Sequence, residues 1–179
     1  MKILSIDQAR HGGWAIFDFE QKKLLEFGSY NFRTNESTFA QEVVSIEKYI
    51  SDLIISKNIS AVFIEDVHLE KNHNVFKTLS QLQGVLINLF EKHKYLYEII
   101  APSQWQGFCK AKGRNSKEIK AKLTTTQSSE ERLKKKRTKI MSLEYVSSKF
   151  NVDTSDDNIA DAICIGDYVV NNIPILINE

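Results

Sequence analysis

Two apolar runs that end in an acid constrain this chain more than any other feature: Ile3-Leu4-Ser5-Ile6-Asp7 near the N-terminus and Val62-Phe63-Ile64-Glu65-Asp66 in the middle. Each has the length and β-branching of a buried strand, and each delivers a carboxylate where the strand stops. Two further strand-like segments, Gly13 to Phe19 and Leu24 to Phe32, lie between them with breaks at Gly12-Gly13 and Gln21-Lys22-Lys23. Together with Met1 to Asp7 they predict a three-stranded meander. Glu36 to Lys57 then carries Phe39, Val43, Val44, Ile46, Ile50, Leu53 and Ile54 at helical spacing, with Asn35 or Ser37 available as a cap. A helix feeding a buried strand, Ile59 to Glu65, after a meander implies a mixed sheet in which the fourth strand lies parallel beside the first. That adjacency would bring Asp7 and Glu65 together at one end of the sheet.

The rest of the chain extends the α/β pattern. Val75 to Lys92 is helical, with Val75, Leu79, Leu82, Leu86 and Leu89 on a stripe widened by Phe76, Val85 and Phe90. The stripe exceeds what one sheet contact requires, so core packing and a homodimer seam are both open readings. Tyr95 to Ala101 is a fifth strand ended by Pro102, and Ser103 caps a short helix through Cys109. A turn at Gly113-Arg114-Asn115, a helical piece from near Ser116 and a mobile loop over Thr124 to Ser129 come next. Helices over Lys139 to Phe150 and Asp156 to Val170 finish the chain. At 179 residues and 42% apolar composition, with no Pro/Gly/Ser-rich linker, residues 1–179 are expected to form a single domain: a mixed five-stranded sheet flanked by helices.

A third acidic stretch, Asp156-Asp157-Asn158-Ile159-Ala160-Asp161, opens the last of these helices. Carboxylates gathered at one rim repel, by about 1 kcal/mol per pair at 4 Å in water and about 4 near a protein surface. A divalent cation removes that penalty. Oxygen ligands without an accompanying His/Cys set favour Mg²⁺, with Mn²⁺ able to substitute, over Zn²⁺. Two such ions about 4 Å apart can hold the attacking and leaving oxygens of a phosphodiester. The competing reading makes Asp156 and Asp157 helix caps, a role that Asp156 can fill while Asp157 binds metal.

The net charge of +1 conceals strong segregation. From Lys110 to Lys139 the chain holds twelve basic residues against three acidic ones, leaving the remainder at about −8. Lys110, Lys112, Arg114, Lys117, Lys120, Lys134, Lys135, Lys136 and Arg137 form the core of this strip, the footprint of a phosphate-binding surface on an acidic domain. A self-neutralising surface helix would interleave acids at i,i+4, which this segment lacks. Cys109 and Cys164 are isolated and suit reduced thiols in the core. No apolar run approaches the roughly 18 residues of a membrane span. A soluble protein of the cytoplasm, bacterial or in a phage-infected host, is the expectation. His11, His73 and His93 show no ligand spacing, and Trp14 and Trp105 read as core rather than base-stacking residues.

Taken in order, Ile6-Asp7 with Gly13-Trp14-Ala15-Ile16, Ile64-Glu65-Asp66-Val67 with Lys71-Asn72, Gln81-Leu82-Gln83-Gly84 and Ala160-Asp161-Ala162 resemble the RuvC-like Holliday-junction resolvases of the RNase H-like superfamily, the phage-encoded branch fitting best. The resemblance spans most of the chain. It implies that Asp7, Glu65 and Asp161 are catalytic metal ligands and that Lys117 works at the scissile phosphate. Gln8-Ala9 replaces the family's usual Pro-Gly, Gln106 stands at a position basic in some relatives, and His68 stands where relatives often carry an apolar or aromatic residue. The family's fourth ligand falls on Asn158, with Asp157 one residue earlier. Charge favours Asp157, and Asn158 is the alternative.

The function expected is that of a Mg²⁺-dependent endonuclease cleaving branched DNA such as Holliday junctions as a homodimer. A nuclease of the same fold acting on RNA and a non-catalytic junction-binding module are the alternatives. A sugar-kinase-type ATPase is disfavoured, because no glycine-rich phosphate loop follows Asp7.

Overall fold

A computed structural model describes residues 1–67, 73–111 and 137–174, with side chains in the last segment from residue 140 onward. The elements are β1 (Lys2–Asp7), β2 (His11–Asp18), β3 (Lys23–Asn31), α1 (Phe39–Lys57), β4 (Ala61–Glu65), α2 (His73–His93), β5 (Leu96–Ile100), α3 (Pro102–Phe108), α4 (Arg137–Phe150) and α5 (Asp157–Asn172). They build one five-stranded sheet in the order β3-β2-β1-β4-β5. The meander β1-β2-β3 is antiparallel, while β4 runs parallel to β1 and β5 parallel to β4. The expected mixed α/β sheet, with its fourth strand beside its first, is the one observed. The helical piece near Ser116, the loop over Thr124 to Ser129, and His68, Lys71 and Asn72 lie outside the described residues.

Element starts differ from the expectation by one to three residues, three of them for a clear local reason. Helix α1 begins at Phe39 because Thr38, rather than Asn35 or Ser37, accepts from the Gln41 N–H while Gln41 reciprocates on the Thr38 N–H. Asn58, in the left-handed region at φ 54°, ends that helix and delays β4 to Ala61. Helix α3 starts at Pro102, whose missing N–H costs nothing in a first turn, and the Gln104 side chain accepts from the Ala101 N–H.

Alternation along the central strands divides the core in two. Leu4, Ile6, Val62 and Ile64 pack against Ile46 and Ile50 of α1 and Leu82, Leu86, Leu89 and Phe90 of α2. Ile3, Ala15, Phe17, Ala61 and Phe63 pack on the opposite side against α5, α4 and Trp105. Asp7 and Glu65 are in phase with this second set, so they belong to the face that α5 covers. The wide α2 stripe is used unevenly: its C-terminal part is buried, while Phe76, Leu79 and Val85 are half-buried and Val75 is 44% exposed. Cys109 and Cys164 are free and buried, as expected. No helix of the described residues is long and apolar enough to cross a membrane.

Helix α5 approaches the sheet at backbone contact distance. A Cβ at Gly13 would stand 1.9 Å from the Asn158 carbonyl oxygen, and one at Gly166 would stand 2.5 Å from Phe17. Between these points the Ser5 hydroxyl donates to the Ala162 carbonyl at 2.8 Å, a buried polar contact that fixes the helix along β1. Gly13→Ala and Gly166→Ala should therefore each lower the unfolding free energy by about 1–3 kcal/mol through overpacking. Gly84 in α2 has open space around it, so Gly84→Ala should instead be neutral or stabilising by up to about 1 kcal/mol. Urea unfolding of the three variants checks the contrast.

Candidate active site

The parallel register sets Ile6 opposite Ile64, so Asp7 and Glu65 follow one step later at the ends of adjacent strands. The backbone ladder stops there, and a side chain extends it. Gln8 is buried, and its Nε2 donates to the Glu65 carbonyl at 2.8 Å, where a further strand rung would have supplied a backbone N–H. Gln83 of α2 reaches the same carbonyl at 3.3 Å, and the following Asp66 N–H donates to Ile100 of β5 at 2.8 Å. The Glu65 carboxylate is met from α3: Trp105, 1% exposed, donates its indole N–H to Oε1 at 2.8 Å.

The second pair of acids arrives on α5. Asp156 caps the helix by accepting from the Asn158 N–H at 3.0 Å, and the Asn158 side-chain amide donates to the same oxygen at 3.0 Å. Because Gly13 pairs with Asp7 and lies directly under Asn158, the first turn of α5 stands over the end of β1. Asp157 and Asp161, one turn apart, each place one side-chain oxygen out of reach of solvent. His11 Nε2 lies 3.3 Å from Asp156 Oδ2. Burial by itself would raise the Asp156 carboxyl. Hydrogen bonds from Ser29 and Asn158, aided by His11, outweigh burial and hold it below the ordinary carboxylate range.

On the opposite face a second charged contact shapes the turn after Asp7. Glu42, buried in α1, accepts from Arg10 Nε and, at 2.6 Å, from Arg10 Nη2, while Ser37 donates to it at 2.9 Å. The guanidinium bond holds the Glu42 carboxyl below its usual range. Tyr30, buried nearby, has its phenol pushed well above the ordinary value, first by burial and then by the negative charge of Asp7. Trp14 is core, as expected, and donates to Tyr49 at 2.9 Å.

Asp7, Glu65, Asp157 and Asp161 are thus brought to one end and one face of the sheet. Their oxygen-only chemistry and this placement fit a hard divalent cation such as Mg²⁺, and these four are the groups that could hold it. No three His, Cys, Asp or Glu side chains among the described residues are close enough together to form a ready ligand set. Lys110 is exposed at the end of α3. Lys112, Arg114, Lys117, Lys120, Lys134, Lys135 and Lys136 lie outside the described residues, and so does the side chain of Arg137, which opens α4. Sequence reasoning missed Gln8, Arg10 and the site role of Trp105, and it placed His11 among ordinary residues. For Arg10, its charge three residues past a buried strand's acid was a usable signal.

No protein-family model and no curated protein matches this chain. Solved structures do. Thermus thermophilus RuvC in complex with a Holliday junction substrate superposes with a TM-score of 0.64 at 13% identity, covering 94% of this chain and 91% of that one. Fowlpox virus resolvase with its substrate junction DNA gives 0.55 at 15% identity, covering 97% and 99%. The yeast mitochondrial Holliday junction resolvase Ydc2 gives 0.56 at 14%, covering 94% and 77%. At these identities the likeness is one of fold, and the chain has a RuvC-like, RNase H-like fold.

Asp156 yields a prediction that needs no assumption about activity. Its folded-state pKa is lowered, so its contribution is present above the unfolded pKa of about 3.9 and is lost as pH falls through the folded value. Asp156→Ala should cost about 1 kcal/mol near neutrality by removing the cap. Asp156→Asn keeps a capping oxygen but not the charge, so its deficit should shrink as pH falls towards about 3. Urea unfolding at both pH values measures this; a deficit that does not change with pH would reject the linkage.

Proposed function

We propose that this protein is a Mg²⁺-dependent endonuclease that hydrolyses phosphodiesters in branched DNA, Holliday junctions among them, and that it acts as a homodimer. The observation that carries the proposal is the β1-β4 register, which sets Asp7 beside Glu65 on the face where α5 presents Asp157 and Asp161. Support comes from the fold shared with proteins described as Holliday junction resolvases. Mg²⁺, when bound, would offset phosphate charge and lower the pKa of a water. Asp7 lies between Glu65 and α5, which suits it to serve both sides of the site. Asp157 is preferred to Asn158 as the fourth ligand because an ionised carboxylate attracts a divalent cation more strongly than the dipole of an amide oxygen does. Lys117 would add positive charge at the phosphate, and the strip from Lys110 to Lys139 would grip the backbone without reading sequence.

Asp7→Asn and Glu65→Gln should each abolish cleavage of a four-way junction in Mg²⁺ while leaving junction binding intact, since the basic strip is untouched. Asp157→Ala should raise the Mg²⁺ requirement more than Asn158→Ala does. Matched four-way, three-way and linear DNA, with an RNA competitor and an EDTA control, form the assay. Cleavage retained by either of the first two variants rejects the assignment.

Two-fold symmetry would present two such sites to opposing strands of a junction. The accessible N-terminal part of the α2 stripe, with Val75 exposed and Phe76 and Leu79 half-buried, supports a seam there. Sedimentation at micromolar concentration should show a dimer, and Val75→Glu should shift it towards monomer. Monomer alone, with full junction cleavage, removes the seam.

A further inference from the structure

We propose that Trp105 is a positioning residue for the metal site: its indole N–H fixes the Glu65 carboxylate in the orientation that receives the cation. This deepens the metal-dependent reading above and rests on it. The backbone of Glu65 is already tied down. Its neighbour Ile64 is in register with Ile6, its carbonyl accepts from Gln8 and Gln83, and the next N–H is held by Ile100. The 2.8 Å bond from Trp105 to Oε1 restrains the rotation of the long Glu65 side chain as well.

The choice of donor matters. A lysine or arginine in this place would orient the carboxylate but also neutralise it, and would compete with a divalent cation for the same oxygens. An indole N–H orients without adding charge. Trp105 is 1% exposed and therefore cannot stack on a nucleobase, which leaves its one polar atom as the feature that packing alone does not explain. Its position is itself secured: α3 begins at Pro102, with Gln104 accepting from the Ala101 N–H. Donors to metal-binding carboxylates typically set metal affinity by about 10–100-fold.

The test compares the full-length parent with Trp105→Phe and with a protein carrying benzothienylalanine at position 105, which keeps the bicyclic shape and replaces N–H by sulfur. Mn²⁺ affinity by calorimetry is expected to fall about tenfold in both, and junction cleavage to need correspondingly more Mg²⁺. Junction affinity should stay close to the parent's. A purely structural role predicts a lower unfolding midpoint in EDTA with unchanged Mn²⁺ affinity. If Trp105→Phe fails to fold, the benzothienyl protein decides alone, and unchanged Mn²⁺ affinity there overturns the proposal. Asp7→Asn serves as the control for the underlying reading. If the parent binds Mn²⁺ and Asp7→Asn does not, while both position-105 proteins match the parent, only the Trp105 inference fails. If the parent binds no Mn²⁺, the metal-dependent reading fails with it.

Discussion

The parallel pairing of β1 with β4 is the constraint from which the rest of the site follows. A parallel pair needs a long crossover, here supplied by β2, β3 and α1, before its second strand can lie beside the first. Once Ile6 faces Ile64, the two acids that end these strands have no alternative but to be neighbours. Side chains continue the pairing past the last backbone rung, since the Gln8 amide takes the Glu65 carbonyl. The junction is closed on one face by α2 through Gln83 and on the other by α3 through Trp105. Four elements far apart in sequence therefore converge on Glu65.

Such an arrangement sets stability against chemistry. Like charges at a strand end oppose folding, and two features offset part of that cost without cancelling the charges. The N-terminus of α5 stands over the acid end of β1, where the helix dipole favours carboxylates. Neutral donors, the Trp105 indole among them, orient acids instead of pairing with them. The strong ion pair in the vicinity is directed elsewhere, with Arg10 taken up by buried Glu42.

The strands and helices were legible because their signals are periodic and local. Ile3 to Asp7 and Val62 to Glu65 announce buried strands. Asp7 and Glu65 could be named because an acid after an apolar run is unusual, whereas Asp161 came from the family resemblance and Asp157 from its charge beside Asn158. Thr38 was harder, since Asn35, Ser37 and Thr38 are equally good caps on paper and the Gln41 reciprocation decides among them. Gln8 and Trp105 were not legible at all as site residues. A glutamine after a strand and a tryptophan in a short helix each have many uses, and their use here depends on which backbone carbonyl or carboxylate the tertiary fold brings within 2.8 Å. His11 is similar, as its partner Asp156 lies 145 residues away in sequence.

The backbone contact of α5 on Gly13 also explains why the two strand acids differ in length. Helix α5 rests chiefly on β2 and β1 and only marginally on β4. The gap between helix and sheet is a van der Waals distance between main chains, the least adjustable length in a protein, and no substitution can tune it gradually. Adjustment is left to the acids themselves. Asp7 stands on the strand beneath the helix, whereas Glu65 stands one strand, about 4.8 Å, further out. A glutamate carries one more methylene than an aspartate, an added reach of about 1.5 Å against that offset. Side-chain length thus acts as the ruler of the site, and exchanging Asp for Glu at either strand end is a change of geometry although the charge is conserved.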